Sequence, residues 1–324
     1  MADFVGRAEV DLDALAANFA LLKSHTKAKI AAIVKANGYG HGIVEVARTL
    51  VEAGADYLGV AQLSEALALR ESEPEIPILT WIFAPGADLE RAIEARLDIS
   101  VGAPWALEEL IAAARASGSA ARLHIEIDTG MARGGFDPQL LQGPADKVAK
   151  AQEEGLVHVI GAWSHLARAD EPDNGETARQ LDVFTEALDL LAGHGIHPEL
   201  RHLANTAGLL WHPDTHFDMV RPGIGLYGLS PNPEAATSQD IGLQPVMTLT
   251  SKVVAVRDVA EGTGVSYGHT EVVTKKTRLG TVPLGYADGI PRSASSAGPL
   301  VVNGVPTRVV GRVCLYYFVI DVDF

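Results

Sequence analysis

The chain is nearly devoid of cysteine: Cys314 is the only one in 324 residues. A single thiol excludes an intramolecular disulfide, and a reducing cytoplasm is the expected setting. Long apolar runs are absent too, and none approaches the ~20 residues that a membrane-spanning helix needs. The amino terminus, MADFVGRAEVDLDAL, has early acids and no apolar segment of the secretory kind. Positive charge is scarce: 26 Lys and Arg stand against 41 Asp and Glu, a formal net charge of −15. This balance argues against a nucleic-acid or anionic-membrane partner, although local arginines can still hold a small anion. No low-complexity tract is found, and no metal is expected. What is present, a 47% hydrophobic share over this length, suffices for a large buried core in one domain or two.

From residue 30 to about 229, apolar strand-like runs alternate with amphipathic helical stretches. The strand candidates are 30–36, 57–61, 77–83, 97–101, 122–128, 157–166, 199–205 and 218–228. ETARQLDVFTEALDLLAGHG is the longest helical stretch, and its Gly-His-Gly tail reads as a stop. Near-continuous apolar strands separated by helices imply parallel pairing with both faces covered. Eight such units predict a (β/α)8 barrel over 11–235, with an open doubly wound sheet as the structural competitor. After Gly228 the helical period vanishes. Short Val- and Thr-rich segments broken by Gly, Asn-Gly and Pro predict a mainly antiparallel β domain over 236–324, which a strand within 1–10 can join. DLDALAANFALLKSHT then reads as an entry helix capped by Asp11 or Asp13.

Within AAIVKANGYGHG, residues 31–42, an apolar strand delivers one lysine, Lys35, into a glycine-rich turn. Apolar packing at a strand end disfavours the charged amine, and a neutral amine is what Schiff-base formation with an aldehyde requires. A solvated lysine in an ordinary strand-to-helix loop is the alternative. Chemistry in a (β/α)8 barrel gathers at the carboxyl ends of its strands. Those ends carry Lys35, Arg133, His165, His202, Asn205, Thr206, Arg221, Gly223 and Ile224. Singly, His165 also reads as a core histidine and either arginine as a surface ion pair. Thr206 and the backbone at Gly223 and Ile224 fall in the loops where such barrels often bind phosphate. A lysine and a phosphate site on one rim suggest pyridoxal 5′-phosphate.

The motifs VKANGYGHG, DTGMARGGF, WSHLARADEP, RHLANTAG, VRPGIGLYG, VSYGHT, PLGYADGIPR and GRVC occur in that order. With them the chain resembles the alanine racemases, fold-type III pyridoxal-phosphate enzymes, over nearly its whole length. The resemblance implies a homodimer with shared active sites that interconverts L- and D-alanine and supplies D-alanine for peptidoglycan. It implies that Lys35 carries the cofactor and moves a proton on one face of the substrate α-carbon. Tyr267, from a partner subunit, would be the acid/base on the other face. Tyr39, Asn205, Thr206, Gly223 and Ile224 would surround the phosphate. Arg221 would face the pyridine nitrogen, with His165 linked to it, and their positive charge would lower the pKa of Tyr267. Arg133 would meet the ring hydroxyl and the substrate carboxylate, Leu315 would offer a backbone amide to that carboxylate, and Tyr286 would line the entry. Guanidinium is too weak an acid to protonate a pyridine, so Arg221 would limit side reactions such as transamination.

Three departures from the family pattern stand out. Many relatives carry a carbamylated lysine where this chain has Glu126, which is expected to supply the charge that orients Arg133. Leu315, Tyr316 and Tyr317 replace Met-Asp-Gln after GRVC. The chain stops at Phe324, so a C-terminal domain shortened relative to the family is expected. Alternative functions are a broader amino-acid racemase and a cofactor-binding barrel with little activity. Fold-type III decarboxylases share the architecture but lack this set of motifs.

Overall fold

Strands buried on both faces can satisfy their backbone only against one another, and the apolar runs pair side by side in the computed structural model. It describes residues 5–73 and 75–324. The first nine strands are β1 (Gly6–Val10), β2 (Lys29–Ile33), β3 (Tyr57–Gln62), β4 (Ile78–Ile82), β5 (Asp98–Val101), β6 (Ala121–Glu126), β7 (Val157–Trp163), β8 (Leu200–His202) and β9 (Met219–Val220). β2 to β9 form one eight-stranded sheet in the order β8-β7-β6-β5-β4-β3-β2-β9. All its ladders are parallel. Between β8 and β9 the ring is drawn together by Asp218 N–H donating to Arg201 O (3.0 Å) and Arg221 N–H to Ala204 O (2.9 Å). The first strand, β2, is flanked by both β3 and β9, so the sheet curls into a nearly closed (β/α)8 barrel and the open doubly wound alternative falls away.

The helices follow the apolar pattern. Helix α1 (Leu12–Ser24) is capped by Asp11, whose carboxylate accepts from Ala14 N–H at 2.9 Å, which decides between the two expected caps. The helix Glu176–Gly193 buries Phe184, Ala187 and Leu191 and ends where Gly195 takes φ +73°. α1 also carries one buried polar residue, Asn18. Its amide donates to Leu226 O (3.1 Å) and Gln244 O (2.8 Å) and accepts from Gln244 N–H (2.8 Å), so its hydrogen-bonding capacity is largely used.

The remaining strands are β10 (Met247–Ser251), β11 (Ala255–Val259), β12 (Gly264–Val265), β13 (Glu271–Val272), β14 (Thr277–Val282), β15 (Pro299–Val302), β16 (Val305–Val310) and β17 (Phe318–Asp321). β11, β14, β17, β16 and β15 make an antiparallel sheet in that order over a core of Val282, Leu284, Val309, Val313, Phe318 and Ile320. β1 pairs antiparallel with β10, while residues 1–4 of the expected amino-terminal strand lie outside the described residues. The last strand of this β region, β17, sits inside the sheet between β14 and β16, with Ile320 fully buried. By internal contacts the chain divides into Asp11–Val246 and a second unit in which β1 joins Met247–Phe324. No helix among the described residues is long and apolar enough to cross a membrane.

Asn18→Ala leaves the two carbonyls and one amide without their partner, which costs about 2–4 kcal/mol. Chemical denaturation should register that loss, and an unchanged midpoint would show that water replaces the side chain.

Candidate active site

The expected first strand ran to Ala36, but β2 ends at Ile33 because the chain turns left-handed. Ala36, Asn37, Gly38 and Tyr39 have φ of +53°, +55°, +63° and +53°. Three of these are not glycine, and L-residues in this region cost ~1–2 kcal/mol each, so something must hold them. Glu65 does: its carboxylate accepts from Ala36 N–H (2.7 Å) and, through the other oxygen, from Gln62 (3.0 Å) and Ala61 (3.2 Å). Asn37 Oδ1 accepts from Ile43 N–H at 3.0 Å and fixes the far side of the turn. Glu65 was missed from sequence, although Gln62 and Glu65 form a capping-box pair that signals the helix start.

The strained turn places Lys35 half-buried, with Nζ 5.8 Å from the centroid of Trp81. Burial, then the charge of Arg133, lowers its pKa, with Glu65 opposing and Arg221 adding a smaller push downward. The neutral amine is thereby favoured.

Tyr39 stacks on Tyr227 with ring centroids 4.6 Å apart, and Tyr227 Oη donates to Ile33 O (3.1 Å). Burial raises the Tyr39 pKa, which keeps the phenol protonated. A Cβ at Gly223 would lie 2.6 Å from Tyr39 Oη, so glycine there is a steric requirement. Thr206 Oγ accepts from Gly223 N–H (3.0 Å) and Gly225 N–H (3.4 Å), leaving its own hydrogen to donate outward. This differs from the expectation of a free Gly223 amide. Ile224 opens the 3-10 turn Ile224–Tyr227, where a first-turn amide has no acceptor within the helix. Asn205 caps the following helix by accepting from Gly208 N–H (3.0 Å) and thereby orients Thr206.

Arg221 is only 5% exposed. Its guanidinium meets His202 Nδ1 and donates to His202 O (both 2.9 Å), to Ser164 O (2.7 Å) and to Leu203 O (3.3 Å), and lies 3.4 Å from His165 Nδ1. It also sits over the Trp163 ring at 4.7 Å. Burial brings its pKa down to about 9, with Glu126 opposing and Arg133 assisting, so it remains a cation at neutral pH. His165 is pushed down to about 3 by burial, then by Arg221, Arg133 and Lys35. It is neutral, so the expected positive charge comes from Arg221 alone within this pair.

Glu126, at the end of β6, has its carboxylate under the 134–135 loop. A Cβ at Gly134 would be 3.4 Å from Oε1, and one at Gly102 would be 3.1 Å from Oε2. Burial raises Glu126 to about 7 against the pull of Arg133 and Arg221, with Asp128 adding to the rise. Asp128 holds the loop by accepting from the amides of Gly130, Met131 and Ala132.

Lys35, Tyr39, Glu126, Arg133, His165, Asn205, Thr206, Arg221, Gly223 and Ile224 thus line one cavity of about 640 Å³, together with Trp81 and Trp163. Of the other expected residues, His202 is buried against Arg221 and does not line the cavity, and the rest lie in the second unit. Tyr267 is 69% exposed on the 3-10 turn Tyr267–His269. Tyr286 and Leu315 are exposed and brought together, with Tyr286 N–H donating to Cys314 O and Ala287 N–H to Leu315 O (both 3.0 Å). Tyr316 and Tyr317 are exposed beside them.

The family model described as alanine racemase, N-terminal domain, matches residues 10–231, and that for the C-terminal domain matches 246–324. The alanine racemase of Beutenbergia cavernae is 49% identical over 319 residues, 98% of this chain and 84% of its own length. That of Streptomyces coelicolor is 49% identical over 324 residues, 97% of this chain and 82% of its own. The crystal structure of alanine racemase from D-cycloserine producing Streptomyces lavendulae superposes with a TM-score of 0.97 at 44% identity, covering all of this chain and 85% of that one. A Bartonella henselae alanine racemase with covalently bound pyridoxal phosphate gives 0.88 at 27% identity, over 99% of this chain and 87% of that one.

Two outcomes follow. Gly223→Ala should push Tyr39 aside and weaken binding of pyridoxal phosphate to the apoprotein at least tenfold in an absorbance titration. Glu126 protonates more readily folded than unfolded, so its contribution favours the fold at low pH and fades as pH rises from about 4.5 to about 7. Glu126→Gln should therefore stabilise the apoprotein at pH 8 by on the order of 2 kcal/mol, an advantage that shrinks towards pH 5. Melting curves across that range would test it, and a pH-independent difference would count against a buried carboxylate.

Proposed function

The chain belongs to the alanine racemase family, and we propose from this premise that it interconverts L- and D-alanine by a two-base route on pyridoxal 5′-phosphate. The observation that carries the reading is a single cavity holding a lysine of lowered pKa, a phosphate-sized set of donors and a buried guanidinium. The fit to the cofactor rests on the cradle itself. Gly223 leaves space beneath Tyr39 Oη that any side chain would fill, and Thr206 has both its acceptor sites occupied and a hydrogen free to give. Tyr39, Thr206 and Ile224, oriented by Asn205, would hold the phosphate, and Lys35 would hold the aldehyde carbon.

When bound, the cofactor supplies a conjugated ring that acidifies the α-hydrogen of the amino acid. The Lys35 amine, whose charge is disfavoured by burial and by Arg133, takes or returns that proton on one face. The Tyr267 phenol does so on the other face, donated by a second copy of the chain in a homodimer. Exposed Tyr267, Leu315, Tyr316 and Tyr317 support such an interface. Arg221 offers donors only and therefore leaves a ring nitrogen facing it without a proton. Arg133 binds the substrate carboxylate, and Glu126 beside it orients that guanidinium. Trp81 and Trp163 form aromatic walls of the same cavity. Leu315 and Tyr286 line the approach. D-Alanine so formed would feed peptidoglycan synthesis in the cytoplasm. The broader-specificity and low-activity alternatives are not favoured, because the relatives reported above are alanine racemases.

Purified protein loaded with pyridoxal phosphate should be yellow and exchange the alanine α-hydrogen with deuterated solvent, and Lys35→Ala should lose both properties. Tyr267→Phe should lower proton removal from one enantiomer ~100-fold or more while sparing the half-reaction that Lys35 performs on the other. Wild-type rates in both directions would remove Tyr267 from the mechanism.

A further inference from the structure

The barrel interior holds a line of ionisable side chains that the mechanism above does not use. Asp98 on β5, His124 on β6 and His202 on β8 are all fully buried. His124 Nε2 lies 3.1 Å from Asp98 Oδ2, His124 Nδ1 lies 2.9 Å from His202 Nε2, and His202 Nδ1 lies 2.9 Å from the Arg221 guanidinium. At the far end Arg122 donates to both oxygens of Asp98.

The chemistry of the two ends leaves one arrangement of protons. Arg221 can only donate, so His202 Nδ1 must accept and the His202 hydrogen sits on Nε2. That hydrogen requires His124 Nδ1 to accept, which places the His124 hydrogen on Nε2, facing a carboxylate. Both histidines are then neutral Nε2–H tautomers, and the donors all run from Arg221 towards Asp98. His202 is kept neutral by burial and by Arg221 itself. The packing preserves this line. A Cβ at Gly161 would come within 2.2 Å of His124 Nδ1, so β7 must carry glycine where the ring passes. Trp163 lies parallel to the His202 ring at 5.9 Å and is itself anchored by Nε1–H donating to Ser100 Oγ at 2.7 Å.

We propose that Asp98 and His124 are positioning residues for racemisation: they lock the tautomer of His202 and so fix the orientation of Arg221 at the cofactor rim. This rests on the racemase reading given above. Asp98 is the first residue of β5, on the amino-terminal side of the barrel, whereas Lys35 and Arg221 serve its carboxyl side. Only a group that accepts on both oxygens can terminate the line, because Arg122 Nε takes Oδ1 while Oδ2 faces His124 as well as the second Arg122 donor. In Asp98→Asn the amide must turn its NH2 towards one of them. With Arg122 on the oxygen, His124 must move its hydrogen to Nδ1 and His202 must follow, which sets two donors against each other at Arg221.

The test uses full-length chain with 15N-labelled histidine, its ring signals assigned by substitution. In the apoprotein both His124 and His202 should show Nε2–H tautomers, and this readout needs no racemase activity. Asp98→Asn should shift His202 towards the Nδ1–H form and, in the cofactor-loaded enzyme, lower kcat at least tenfold with KM within threefold. Arg122→Lys, which weakens the same ion pair but keeps the carboxylate, should leave the His202 signals in place and kcat within twofold. An Nδ1–H His202 in the parent protein overturns the proposal, as does an unshifted His202 in Asp98→Asn or a kcat loss in Arg122→Lys equal to that in Asp98→Asn. Intact tautomer behaviour in a protein that fails to racemise alanine would instead count against the racemase reading alone.

Discussion

A guanidinium buried in the middle of a protein demands acceptors, and Arg221 imposes that demand on its surroundings. Three backbone carbonyls and two histidine nitrogens meet its two Nη groups, contributed by β8, the end of β7 and the segments that follow them. Because these acceptors belong to adjoining parts of the barrel, the cation also helps to specify the closure between β8 and β9. There its own backbone N–H donates to Ala204 O. The neutral state of His165 and His202 follows from the same charge together with burial. A carboxylate in place of Arg221 would face the same three carbonyls with no hydrogen to give them.

The active rim couples strain to chemistry. Four consecutive residues after Lys35 adopt left-handed conformations, three of them at a steric cost, and the carboxylate of Glu65 ties the first of their amides, Ala36 N–H, to those of Ala61 and Gln62 at the end of β3. The result is a lysine held half in and half out of apolar packing, where burial disfavours its charge while the amine stays reachable. Strain here is retained because a relaxed strand or helix would point Lys35 elsewhere. Gly223 and Gly161 play the complementary part: each removes one Cβ so that a ring, Tyr39 in one case and His124 in the other, can occupy the space.

Much of this was legible in the chain alone. The barrel followed from eight alternations of apolar strand and amphipathic helix, since burial on both faces leaves a repeating composition that survives without coordinates. Lys35 stood out as the charge that ends an apolar run, and the strand-end rule brought in His165, Thr206, Arg221 and their neighbours, which line one cavity. Less legible was anything set by backbone handedness or by pairing across long separations. The strand was expected to continue to Ala36, because side-chain pattern does not report the sign of φ. Glu65 reads as one more helix-start glutamate, and Asp98 and His124 read as polar interruptions of apolar strands.

The sequence by itself determined the class of fold, the order of its elements and the presence of a lysine, an arginine and a threonine at the ends of its strands. These depend on local patterns of burial and on residue chemistry. The tertiary structure decided electrostatics and direction: which groups the buried histidine nitrogens face, that Glu126 titrates near neutrality, and that the charge on Lys35 is disfavoured. Those properties are energies of interaction between groups distant in the chain, and they exist only once the strands that carry them are brought within a few ångströms.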